Sequence, residues 1–72
     1  MDVQASLKIR VNGEERQLPR AASIAEMLTG LGIDPRKVAV ERNREIVPRS
    51  TIGEVTVEDG DEYEIVHFVG GG

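Results

Sequence analysis

The sequence predicts a single two-layer α+β domain, a sheet with one helix packed across one face. Three observations carry this. "LKIRV" alternates apolar and charged residues and runs into Asn12-Gly13, the pattern of a strand entering a hairpin. "SIAEMLTGLGI" changes to helical spacing, and "KVAVERNREIV" and "EYEIVHFV" return to strand-like runs. A sheet with one dry face and a helix with one dry stripe bury each other most simply as two layers.

The first strand presents Leu7, Ile9 and Val11 on one side and Lys8 and Arg10 on the other. Asn12 and Gly13 both tolerate the positive φ of a tight turn. The return strand then runs from about Glu14 to Leu18 and stops at Pro19. Ile24, Met27, Leu28 and Leu31 fall at i, i+3, i+4 and i+7, one stripe of an amphipathic helix. Ser23 and Glu26 form a capping box, in which hydroxyl and carboxylate each satisfy an orphan backbone N–H. Gly32 suits a left-handed C-terminal cap. Val38 and Val40 begin a second, looser hairpin turning at Asn43-Arg44, with Ile46-Val47 as a short strand ended by Pro48. Asp59-Gly60 marks another turn before the final strand. Read from the residues, the sheet is antiparallel.

A chain of 72 residues makes at most one domain and buries only about 60% of its unfolded surface. That leaves one thin core and no enclosed pocket of active-site size. Hydrophobic residues at 39% against 31% charged fit a compact soluble domain. Without cysteine there is neither a disulfide nor a thiolate zinc site. A net charge of -4 argues against nucleic acid, whose binding requires phosphates to be neutralised. No apolar run approaches the ~20 residues of a membrane span, and "MDVQASLKIR" is no secretory signal, so the expected location is the cytoplasm.

Candidate catalytic groups are few. His67 is the only histidine, and a triad with Ser23 or Ser50 has no support in the spacing; a surface or packed role suits a mid-strand histidine better. The run "EDGDEYE" lacks the spaced ligands of a calcium loop and reads as a solvated turn. The expectation is therefore a protein with no catalytic residues and no metal site.

The unusual features lie at the end. Ile65, Val66, Phe68 and Val69 make both faces of the last strand apolar, and one helix covers only one face. The uncovered residues form a candidate partner surface beside "GGG". Three extended glycines reach roughly 10 Å and accept whatever φ a narrow channel imposes. At neutral pH a free α-carboxyl, with a pKa of about 3.3–3.7, is an ionised and poor electrophile. It would have to be activated, most simply as an acyl-adenylate, by a separate enzyme. The organisation expected is a domain over residues 1–69 and a flexible glycine tail over 70–72.

The strand order, "NGE", "NREIVPR", "DGD" and the terminal diglycine together resemble the ubiquitin-like (β-grasp) sulfur carriers, specifically the ThiS type of thiamine biosynthesis. The resemblance spans nearly the whole chain. It implies a β-grasp with a mixed sheet of about five strands and a carrier with no catalysis of its own. Gly72 would be the site of adenylation and thiocarboxylate formation, with Gly70 and Gly71 threading into the activating enzyme. Val66, Phe68 and Val69 match the family's partner-binding strand. The implied partners are an E1-like, ThiF-type adenylating enzyme that uses ATP and magnesium, a ThiG-type thiazole synthase, and a cysteine desulfurase as indirect sulfur source. No cofactor is expected on this chain. The alternatives are the small subunit of molybdopterin synthase and a ubiquitin-like modifier conjugated through Gly72.

Overall fold

The computed structural model describes residues 6–68. Within them, β1 (Ser6–Val11), β2 (Glu14–Pro19), α1 (Ile24–Gly30), β3 (Val38–Arg42), β4 (Glu45–Ile46) and β5 (Glu62–His67) follow the predicted order. Two short 3-10 turns, Pro35–Lys37 and Arg49–Thr51, flank β3 and follow β4. The sheet order is β2-β1-β5-β3-β4.

One expectation from the residues fails. β1 and β5 run parallel, with Arg10 beside Glu62 and Val11 beside Tyr63, so the sheet is mixed. Period-2 alternation says which face is wet and nothing about strand direction. Here α1 carries the chain from β2 over to β3, and after β4 the irregular segment 47–61 brings it back, so that β5 enters from the same end as β1. The remaining pairs are antiparallel.

The core takes one face of β1, β3 and β5 (Leu7, Ile9 and Val11, then Val38 and Val40, then Tyr63 and Ile65) and a single residue, Leu18, from the outer strand β2. Ile24, Met27 and Leu28 of α1 close it from above, Ile24 and Leu28 with no exposed surface. Each such side chain removed from water contributes about 1.5–3 kcal/mol. That burial sustains a seven-residue helix too short to persist alone. The capping box forms as expected: Ser23 Oγ accepts from Glu26 N at 3.0 Å, and Glu26 Oε1 accepts from Ser23 N at 2.9 Å. Two more first-turn donors, Ile24 N and Ala25 N, reach the carbonyls of Val55 and Ile52 in the irregular segment. Gly32, at φ +80°, completes a Schellman cap in which Ile33 N donates to Leu28 O.

The second hairpin is tighter than expected. Asn43 and Arg44 take φ of 51° and 72°, a two-residue turn matching that at Asn12-Gly13, and Arg42 pairs directly with Glu45. The acidic run also departs from a solvated turn, because Asp61 is only 6% exposed. Its Oδ2 accepts from Tyr63 OH at 2.8 Å, Glu58 N at 2.9 Å and Arg42 Nε at 3.0 Å, and its Oδ1 from Asn43 Nδ2 at 3.1 Å. Burial alone would raise this carboxyl's pKa. The four donors outweigh it and hold the group below its usual range. The same burial, with the adjacent carboxylate, pushes the Tyr63 phenol well above its usual range. Asp61 thus ties the start of β5 to the β3–β4 hairpin.

Candidate functional site

Among the described residues, nothing assembles into a catalytic centre. Ser23 is committed to the helix cap, Ser50 sits in the 3-10 turn Arg49–Thr51, and no hydrogen bond joins either to His67. No group of three His, Asp or Glu side chains among them is arranged to hold a metal ion. No helix of the described residues is long and apolar enough to cross a membrane. An open groove of about 470 Å³ runs between β2 and α1 past Leu18, Ala22, Met27 and Leu31. Its volume falls in the range of small-ligand sites. The carboxylate on its wall, Glu26, is already held by the capping box.

The surface that remains is the far side of β5. Ile65 points into the core while Val66 is 60% and Phe68 54% exposed. Val66 lies beside exposed Ala39 across the β3–β5 pair, and Glu64 lies directly opposite Glu41. Like charges set opposite one another weaken a sheet slightly, so this face is not arranged for the stability of the isolated domain. Ile46 adds a third exposed apolar side chain, at 77%, on the same face as Glu41. Sequence reading placed Ile46 only as a strand residue. The hairpin register is what turns it outward. Val69, Gly70, Gly71 and Gly72 lie outside the described residues.

β5 is held along its whole length on the β3 side, and on the β1 side as far as Ile65. On the β3 side the ladder continues to Phe68 N, which donates to Lys37 O at 2.9 Å. On the β1 side the neighbouring strand has already turned away at Asn12. The Asn12 side chain takes its place: Nδ2 donates to Ile65 O at 3.2 Å and Oδ1 accepts from Ile65 N at 2.8 Å. A carboxamide here imitates one peptide unit and extends the support of β5 by one residue. From the sequence Asn12 was legible only as a turn residue, because its partner lies fifty-three positions away. Arg49 lies next to the strand's end, with its guanidinium carbon 5.3 Å from the centroid of the Phe68 ring. A shallow groove of about 200 Å³ between Pro48, Ile46 and Phe68 adjoins it.

The comparisons with known proteins agree with this architecture. The ThiS family model matches residues 9–72. The "Sulfur carrier protein ThiS" of Bacillus subtilis is 37% identical over 65 residues, covering 89% of this chain and 98% of that one. The "Thiazole synthase" of Paramagnetospirillum magneticum is 53% identical over 66 residues, which make up 92% of this chain and 20% of the relative. The chain therefore spans about a fifth of the length of the thiazole synthases it matches. The crystal structure of the thiamine biosynthesis protein (ThiS) from Geobacter metallireducens superposes with a TM-score of 0.78 at 32% identity, covering 92% of this chain and all of that one. A designed protein based on human erythrocytic ubiquitin matches at a TM-score of 0.55 with 15% identity, which shows the ubiquitin-like fold alone. With a family model over most of its length and a relative of 37% identity matched almost end to end, this chain belongs to the ThiS family.

Proposed function

We propose that this protein is a sulfur carrier of thiamine biosynthesis, loaded at the carboxyl group of Gly72 and acted on by partner enzymes. The observation that carries the reading is the nearly full-length match to the Bacillus subtilis sulfur carrier protein. In the proposed cycle an E1-like enzyme joins the Gly72 carboxylate to AMP, releasing pyrophosphate from ATP. A persulfide sulfur then attacks the acyl carbon and expels AMP, and a thiol frees the thiocarboxylate as a disulfide forms. Magnesium and ATP belong to the activating enzyme, and the carrier contributes the carboxylate, the glycine thread of Gly70 and Gly71, and a docking face.

The exposed Val66 and Phe68 support that docking role, joined in the proposal by Val69. Covering two such side chains is worth a few kcal/mol to a partner at ~25 cal/mol per Å². Thiazole synthase is the proposed acceptor of the sulfur. Relatives that bear this name and include a segment like this chain support the assignment. A cytoplasmic location, where ATP and a cysteine desulfurase are at hand, belongs to the same proposal.

The test is an intact mass after incubation with ATP, magnesium, the activating enzyme of the same organism and a sulfur source. The expected gain equals the difference between a sulfur and an oxygen atom. Gly71→Val should block conversion and leave the fold unchanged. A protein that binds the large subunit of molybdopterin synthase, and not thiazole synthase, would instead belong to the molybdenum cofactor pathway. Covalent adducts on lysines without any thiocarboxylate would mark a modifier.

A further inference from the structure

We infer that Arg49 is a positioning residue, fixing the direction in which the chain leaves β5 toward Gly72. The inference rests on the proposed loading of that terminus. Arg49 is the last residue of "NREIVPR" and lies on an exposed 3-10 turn, where a long basic side chain would ordinarily be solvated. Instead its Nη1 donates to Pro35 O at 2.9 Å and its Nη2 to Val38 O at 3.3 Å. The same guanidinium stands 5.3 Å from the centroid of the Phe68 ring.

These contacts share one platform. The segment from Pro35 to Val38 gives two carbonyls to Arg49, and the carbonyl of Lys37 accepts from Phe68 N at 2.9 Å. Phe68 is therefore held by its backbone and by its ring against the same few residues. On the opposite edge the last support is the Asn12 carboxamide at Ile65. From His67 onward the strand is steadied from one side only, and Arg49 supplies the side-chain part of that support. A planar fork bonded to two carbonyls is pre-organised in a way an ammonium group is not, and its face remains available to the ring.

The consequence is kinetic. A carboxylate that must enter a partner's active site through a short thread reacts at a rate set by how often the thread points the right way. Small misplacement of reacting groups costs up to about a hundredfold. Losing one of several restraints at the strand's end should lower kcat/KM for adenylation by roughly tenfold. The effect should appear mainly in KM, because the chemistry at the carboxyl carbon is untouched.

The experiment compares wild type, Arg49→Met and Arg49→Lys. Met keeps the aliphatic stem and loses the cation and both hydrogen bonds. Lys keeps the cation and reaches one carbonyl at a time, so it should fall between. Adenylation is followed by pyrophosphate release with the activating enzyme, and backbone order at residues 66–68 by ¹⁵N relaxation. Arg49→Met should show the KM rise and reduced order at Phe68, with α1 unchanged. Unchanged order at Phe68 would overturn the inference without any reference to activity. A wild-type rate matched by Arg49→Met would overturn it as well. A wild type that never forms an adenylate would refute the proposed function, and with it the kinetic role of Arg49, whatever the relaxation data show.

Discussion

Replacing Asp61 with Asn removes one charge and one acceptor from the most connected polar group in the fold. The carboxylate takes three of its four hydrogen bonds on Oδ2 and the fourth, from Asn43, on Oδ1. The amide oxygen can replace only one of these atoms. If it takes the Oδ2 side, its NH2 faces the NH2 of Asn43. Asn43 cannot rotate to relieve this without cost, because its Oδ1 accepts from Glu62 N at 2.9 Å. The Arg42 side chain, 26% exposed, also loses its buried counter-charge and keeps, among the described residues, only Glu58 at 3.7 Å. An unsatisfied buried group costs about 1–3 kcal/mol and a broken buried pair about 3–5. Allowing for the partial exposure of Arg42, the expected loss is roughly 3 kcal/mol. For a domain of this size that lowers Tm by about 12–24 °C. Thermal unfolding followed by circular dichroism measures it. A drop of less than about 5 °C would refute the view that Asp61 locks β5 to the β3–β4 hairpin.

The same carboxylate predicts a pH dependence with a definite sign. Its folded pKa lies below the unfolded value, so its contribution is full above about pH 4 and falls away as acid protonates it. Asp34, held at about 2 by hydrogen bonds from Arg36, acts in the same direction. The urea midpoint should therefore fall as pH drops, and less steeply in Asp61→Asn than in wild type. Arg44 occupies φ 72° in a turn that favours glycine, so Arg44→Gly should raise stability by about 0.5–1 kcal/mol in urea titrations. Val66→Asp, on the exposed face, should change stability by no more than about 0.5 kcal/mol while weakening capture by the proposed thiazole synthase partner in a binding assay.

Local pattern carried much of this fold into view. The Asn12-Gly13 turn, the Ser23–Glu26 box and the stripe of Ile24, Met27 and Leu28 are short-range features, written within a few residues of where they act. What escaped depends on residues far apart in sequence. The direction of β5 relative to β1 is set by the crossover and leaves no trace in alternation. Asp61 looked like one acid among five, and only the return of Arg42 and Asn43 beside it makes it buried and bonded. Asn12 serves both the turn and, through its side chain, the end of β5, and only the first role was legible. The candidate docking face was partly legible because β5 is apolar on both parities. Ile46 joined it only once the hairpin register was known. Arg49 was visible as part of a motif, but its carbonyl partners and Phe68 meet only in the fold.

In the proposed function sulfur is carried on the backbone's last carbon and on no side chain. Fragmentation mass spectrometry of the C-terminal peptide, taken from protein loaded in its own host, addresses it directly. The account predicts a peptide ending at Gly72 with one oxygen of its carboxyl group replaced by sulfur. A peptide that continues past Gly72 in the mature protein, or sulfur attached at any other residue, would contradict it.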